Sequence, residues 1–370
     1  MKKTVIALAI AAFAATGAAN AATVYNQDGT KVELGGSARI FLGKVGHDFD
    51  NANFGKSQRG DLKDDGSRIK VNASHTLDNG LSAFVGYETR FNGTQTNAKG
   101  KSIQKQSGSD TSFGGITTNK LFVGFGFENV GKLSFGRQAT TADDVLGDGL
   151  YYRSGDNNIL TTSADKSIKF RSADFEGFSF GADYLFGNAD KDATVAKGKI
   201  YKNGTGVAAF YNYDFEKNHN IEFAAGYTFD QYLNSNSSAT LQKNHNWLLS
   251  SHYRLDAFRF AVAYGQRTEK VTGATSNTRG KYIFLESKYD LADVAGIPST
   301  LGLQWERYNE KDYNGQDKGK SIANQYIAMA DYKLSKNVVP YVQYTRATEK
   351  DNLGQRTSEN VYGAGLRVHF

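Results

Sequence analysis

The side chains able to do chemistry are few, and their spacing argues against catalysis. The chain has 370 residues and no cysteine, which removes a thiolate metal site, a disulfide framework and a cysteine nucleophile. Its six histidines show no metal-ligand spacing, and His245 and His252 fall on opposite faces of one extended segment. Ser251 and Tyr253 share a face but His252 points the other way, so no hydrolase constellation assembles. Gly124-Phe125-Gly126 lies within a strand pattern and opens no helix, so it cradles no phosphate. No metal and no cofactor is expected. What remains is charge in a pattern. Arg68 shares its parity with Lys70, Asn72 and Ser74, and Arg171 with Lys169, while Ile69, Val71, Ile168 and Phe170 take the alternate positions. A long polar stretch, 140–162, carries Asp143, Asp144 and Asp148. These are residues that steer ions rather than break bonds.

Such groups need a frame, and strict alternation supplies it. In 178–187 one face is Phe178, Phe180, Ala182, Tyr184 and Phe186; the other is Ser179, Gly181, Asp183, Leu185 and Gly187. Segments 221–230, 257–264 and 362–370 repeat the pattern. The alternation predicts strands at 32–43, 66–77, 80–91, 118–128, 131–139, 164–173, 177–187, 205–215, 220–232, 245–255, 257–267, 281–290, 299–308, 322–334, 337–347 and 360–370. Short turns such as Leu77–Gly80, Glu128–Gly131, Asp174–Gly177 and Glu216–His219 alternate with long polar connections, including 92–115, 140–162, 188–204, 234–244, 268–280, 309–321 and 348–358.

With 40 Gly, 24 Phe and 21 Tyr and a mean hydropathy of -0.52, the chain has too many aromatics for disorder. Beyond the first twenty residues its apolar runs are too short for a spanning helix. Short and long connections in alternation fit a membrane barrel better than a sandwich. The second face is rich in Gly, Ser and Asn and suits a wet lumen. Tyr87, Phe91, Tyr211, Tyr213, Phe215, Tyr289, Tyr332, Tyr341 and Tyr344 cluster near strand ends, as an interfacial girdle would. The fold expected is all-β: a 16-stranded antiparallel transmembrane β-barrel with short periplasmic turns and long extracellular loops. Closure is obligatory, because an open edge in hydrocarbon strands its backbone groups; Phe370 should pair back onto Val32–Leu42.

Lys2 and Lys3, the apolar run Val5–Ala15 and Ala19-Asn20-Ala21 form a secretory signal peptide over 1–21, leaving 22–370 as one barrel domain. The net charge of +6 loses two lysines with it and gives no footprint for nucleic acid.

The motifs Val32-Glu33-Leu34-Gly35-Gly36, Gly66-Ser67-Arg68, Gly86–Phe91, Leu133–Arg137 and Gly365–Phe370 stand out along the chain. In them it resembles the general diffusion porins of Gram-negative bacteria, above all the major outer-membrane porins of Haemophilus and Pasteurella. The resemblance implies a homotrimer in outer-membrane lipid and lipopolysaccharide, each subunit with its own pore for small hydrophilic solutes and ions, narrowed by an inward third long loop. It implies a pore constriction in which Arg68, Lys70, Arg137, Lys169 and Arg171 line one wall and Asp143, Asp144 and Asp148 face them across a wet gap. Arg137 shares parity with Leu133 and Phe135, so a bulge would have to turn it inward. Where the family often has a further basic residue, Ser37 stands, with Arg39 two residues on. Tyr362, Leu366, Val368 and terminal Phe370 resemble the signal read by the barrel-assembly machinery. The function implied is passive diffusion, not enzymatic; a solute-specific channel, or a non-conducting barrel acting as adhesin or surface receptor, are the alternatives.

Overall fold

Alternating aromatic and small residues leave each strand one oily face and one narrow, polar face, and hydrogen bonding between neighbours bends the sheet until it meets itself. The computed structural model describes residues 21–44, 61–77, 80–91, 115–147, 158–187, 199–216, 218–234, 240–274, 277–311, 320–351 and 353–370; residues 1–20 of the expected signal peptide and Asp148 lie outside them. The strands are β1 (Ala22–Gln27), β2 (Thr30–Lys44), β3 (Asp61–Asp64), β4 (Arg68–Thr76), β5 (Leu81–Phe91), β6 (Ile116–Phe127), β7 (Gly131–Ala139), β8 (Ser163–Ser172), β9 (Phe178–Phe186), β10 (Lys199–Glu216), β11 (His219–Asn234), β12 (Thr240–Leu255), β13 (Phe258–Val271), β14 (Thr278–Asp290), β15 (Ser299–Lys311), β16 (Lys320–Tyr332), β17 (Val338–Lys350) and β18 (Arg356–His369). Two short helices, α1 (Asp143–Leu146) and α2 (Ala292–Ala295), complete the elements.

Every pairing is antiparallel, and the ring closes where β18 pairs with β2, His369 opposite Ser37 and Tyr362 opposite Lys44. β3 and β4 share one edge of β2, interrupted at Asp65-Gly66-Ser67. β1 pairs with the start of β2, end to end with β18, for Gly36 exchanges backbone hydrogen bonds with Phe370 at 2.9 and 3.1 Å. The eighteen strands therefore fill the positions of a closed 16-stranded antiparallel barrel.

The oily faces point outward. On β9, Phe178, Phe180, Tyr184 and Phe186 are exposed while Gly181, Asp183 and Leu185 are buried; β11 and β13 repeat this. Among the described residues no helix is long and apolar enough to cross a membrane; the crossing is made by strands. Short turns gather at one end, and several use left-handed residues, Asn129, Glu176, Asn218 and Asp256 among them.

Two readings from the sequence need correction. The strands run farther at the long-loop end than alternation shows: β10 begins at Lys199, β12 at Thr240 and β14 at Thr278, and β17 runs to Lys350. Their outer reaches, such as Lys199–Gly204 and Thr240–Asn244, lack a continuous apolar face, so pairing, not apolar rhythm, defines them. Tyr341 is no girdle residue. It is only 3% exposed, faces inward and stacks on buried Phe41 with ring centroids 6.4 Å apart.

Candidate functional site

The stretch between β7 and β8 turns into the barrel. Its two ends meet where Thr140 N donates to Thr162 O and Thr140 Oγ1 to Thr161 O, at 2.9 and 2.7 Å. From there the inner wall holds it. Thr141 N donates to Asp183 Oδ2 at 2.8 Å, and Thr161 Oγ1 to Asp230 Oδ2 at 2.6 Å. Ser250 Oγ donates to Val145 O, and His252 Nε2 lies 3.0 Å from Leu146 O. Val145, Leu146 and Leu160 are buried against Ala208, Leu248, Ala261, Ala263, Tyr282 and Phe284, each worth about 1.5–3 kcal/mol relative to exposure. The close fit depends on Gly226, where a Cβ would lie 2.7 Å from Val145 and 2.8 Å from Leu160. The described parts of this loop, 140–147 and 158–162, are thus seated on the inner faces of β10–β14.

A cationic cluster stands on β18, β2, β4 and β5. Arg39 has Arg367, Arg68, Arg90 and Asp65 as its charged neighbours, and its Nε donates to Ser37 Oγ at 2.7 Å. Buried Glu88 ties the cluster together: Arg90 at 2.8 Å, Lys70 at 3.6 Å, Arg68 at 3.9 Å, with Asn119 donating at 2.6 Å. Asp65 receives Arg367 at 3.2 Å and the Tyr341 hydroxyl at 2.9 Å. Cations outnumber carboxylates here, and β4 is as far round the ring as a strand can be from β12, on which α1 rests. The loop with Asp143 and Asp144 and the cluster with Arg68 and Lys70 therefore occupy opposite walls.

Arg171 and Lys169 face inward too, but on the loop's own side. Arg171 Nη1 lies 3.7 Å from Asp144 Oδ2, its guanidinium carbon is 3.7 Å from the centre of the Phe210 ring, and Lys169 Nζ donates to Ala139 O at 3.1 Å. This contact departs from an open gap between acid and base: these two cations hold the root of the loop. Arg137 is a correction. A bulge is present, for Gly136 pairs with Ser167 and Gln138 with Ala164, leaving two residues opposite Arg137. The extra residue lies on β8, so Ser134 and Gln138 stay buried and inward while Arg137 keeps the outward parity of Leu133 and Phe135. There it pairs with exposed Asp165 at 2.6 Å. Gly136 adopts φ 133, a conformation with no room for a Cβ beside Leu121 O.

Parity does mark what was missed: Arg90 shares a face with Glu88, and Arg367 with His369. Asp65 sits in the strand break, where alternation is silent. Below α1, toward the short turns, a cavity of about 1100 Å³ is lined by Asp143, Asp144, Arg171, Arg254, Arg259 and Lys288 among others. Among the described residues no three His, Asp or Glu side chains are grouped to hold a metal ion.

Comparison with known proteins agrees with this architecture. The family model described as Gram-negative porin matches residues 7–352. A major outer membrane protein of Pasteurella multocida is 37% identical over 380 residues, covering 100% of both chains. Among solved structures, an anion-selective porin from Comamonas acidovorans superposes with a TM-score of 0.70 at 17% identity, over 92% of this chain and 100% of that one. The trimer form of OmpT, an outer membrane protein of Vibrio cholerae, gives 0.64 at 16% identity, over 93% and 100%.

Proposed function

The chain belongs to the Gram-negative porin family, and from that premise we propose how its lumen selects what passes. The protein is an outer-membrane porin, a barrel for passive diffusion of small hydrophilic solutes and ions, and its family and relatives point to a channel rather than an enzyme. The finer reading is that the narrowest passage lies between the seated loop and the wall of Arg68, Lys70, Arg39, Arg90 and Arg367. Asp143 and Asp144 form the opposing acidic edge, to which the family resemblance adds Asp148. One observation carries this: the apolar seat of Val145, Leu146 and Leu160 fixes the loop on β10–β14, which leaves the cationic cluster facing it across water. Fixed charges on walls of low dielectric focus a field across the gap, and the excess of cations gives a mild preference for anions.

Residues 1–21 act as the cleaved export signal, and Tyr362, Leu366, Val368 and Phe370 present the outward face read by the barrel-assembly machinery. The functional unit is a homotrimer, a reading supported by the trimer form of the Vibrio protein of the same fold. Planar-bilayer recording tests the whole. Large conductance that does not saturate with solute is the expected trace. Saturation by one sugar would indicate a solute-specific channel, and a silent bilayer an adhesin or surface receptor.

A further inference from the structure

Toward the short turns, past the seat of the loop, the inner wall carries cations that the narrow passage does not use. Arg254 is directly opposite Arg259 across β12 and β13, and Arg259 is directly opposite Lys288 across β13 and β14. Asn220 continues the line on β11, opposite Arg254. All four line the cavity below α1. His252, two residues before Arg254, lies 3.0 Å from Leu146 O. At about 3.3 Å per residue, Arg254 is roughly 7 Å farther along the strand than this anchor of the loop. The two arginines thus stand behind the loop, not across the gap from it.

The carboxylates that share the cavity have other neighbours. Asp144 Oδ2 lies 3.7 Å from Arg171, and Glu286 Oε1 lies 3.1 Å from Lys288. Asp174 Oδ1 accepts from Gly177 N at 2.8 Å, and Glu222 Oε1 accepts from Asn220 Nδ2 at 3.5 Å. Among the described residues neither Arg254 nor Arg259 has a carboxylate partner. The enclosed Nε of Arg254 has no acceptor there either, and Arg259 is exposed. Like charges at directly opposed positions destabilise a sheet, and neither strand pairing nor the apolar seat of the loop needs these two. An oxyanion between them turns repulsion into attraction, because each guanidinium fork takes two acceptor oxygens.

We propose that Arg254 and Arg259, flanked by Lys288 and Asn220, form a binding subsite for a small dianion, a dicarboxylate or a phosphate, on the turn side of the loop. The inference rests on the pore reading above and deepens it. The wall of Arg68 and its neighbours biases which sign of charge enters, whereas this pair discriminates by number of charges. A monoanion satisfies one fork and leaves the other cation uncompensated; a dianion satisfies both. The cavity, at about 1100 Å³, has room for such a solute together with its water, and its low-dielectric wall strengthens the attraction.

Ligand-observed NMR on the purified, folded mature protein in a neutral detergent tests this without requiring conduction. Succinate and inorganic phosphate are the probes, and acetate at matched ionic strength is the monovalent comparison. Wild type is expected to broaden the dianion resonances saturably and to bind acetate far more weakly. Arg254→Gln/Arg259→Gln should bind the dianion at least about tenfold more weakly. Arg254→Lys/Arg259→Lys keeps the charges but loses the forks and should fall between the two. Lys199→Gln/Arg267→Gln removes two inner-wall cations at the long-loop end, well beyond a Debye length, and should leave the affinity within about twofold. Equal dianion affinity in wild type and Arg254→Gln/Arg259→Gln overturns the proposal. So does acetate binding as tightly as the dianions, or an equal loss in the long-loop variant. Whichever dianion binds more tightly supports the subsite and names its solute class. Unheated gel migration of every variant separates lost binding from misfolding. A silent bilayer counts against the pore reading and leaves the binding result standing, whereas a conducting pore without saturable dianion binding overturns the subsite alone.

Discussion

At the scale of single residues, two inward arginines of similar appearance in the sequence have different work. Arg68 is part of a cluster in which cations outnumber the two carboxylates, Glu88 and Asp65, that bind them, so removing it reduces a net field. Arg171 is engaged by Asp144 and lies on Phe210, so removing it mainly loosens the loop root. Arg39→Ser/Arg68→Ser is therefore expected to move the reversal potential under a salt gradient toward cation preference. Arg171→Ser should move it less and instead increase current noise. Equal shifts in the two variants would remove the distinction between wall and root. Parity made Arg68, Lys70, Lys169 and Arg171 legible, because inward and outward alternate without regard to context. It failed to place Arg39 and Arg367 together because they come from the two ends of the chain and meet only through closure. It left Arg137 open because alternation does not reveal which partner strand carries the extra residue of a bulge.

At the scale of elements, the inward loop is held by a small apolar seat and a handful of hydrogen bonds, while the barrel beneath is held by continuous backbone pairing. The two should come apart separately. Gly226→Val puts a branched side chain where Val145 and Leu160 already lie within 3 Å of an added Cβ, and neither Val145 nor the backbone behind it has a flexible end to yield. The expected result is a displaced loop in an intact barrel: higher single-channel conductance and weaker ion selectivity, with heat-modifiable migration and strand content by circular dichroism unchanged. Unchanged conductance would mean that the loop does not bound the narrow passage. Of the elements, the transmembrane strands were readable from their two-residue rhythm. Their outer extensions were not, nor was β1, whose Ala22–Gln27 pairs along β2 without an apolar face. The seat of the loop was hidden for a different reason: Val145, Leu146 and Leu160 are ordinary apolar residues in a polar stretch, and only the closed ring brings Gly226, Leu248 and Tyr282 to them.

For the whole molecule, closure is the requirement that couples the two ends of the chain. β18 meets β2, and beyond it Phe370 exchanges two backbone hydrogen bonds with Gly36 before β1 takes over the same edge. The Phe370 side chain also covers Gly36, whose place a Cβ would contest. The last residue thus has a backbone part in closing the cylinder and a side-chain part on its outer surface, and these can be measured apart. Phe370→Ala keeps the backbone bonds, so purified chain should refold in detergent with nearly wild-type yield, while assembly in cells falls because the exposed aromatic end of the outward face is gone. Deleting residue 370 removes both bonds from an edge that hydrocarbon cannot satisfy, at several kcal/mol for each stranded group, and refolding in detergent should fall as well. Folded fractions by unheated gel migration, in vitro and in membranes, give the four values needed. If Phe370→Ala refolds as poorly as the deletion, the terminal ring belongs to closure itself and the assembly role loses its support.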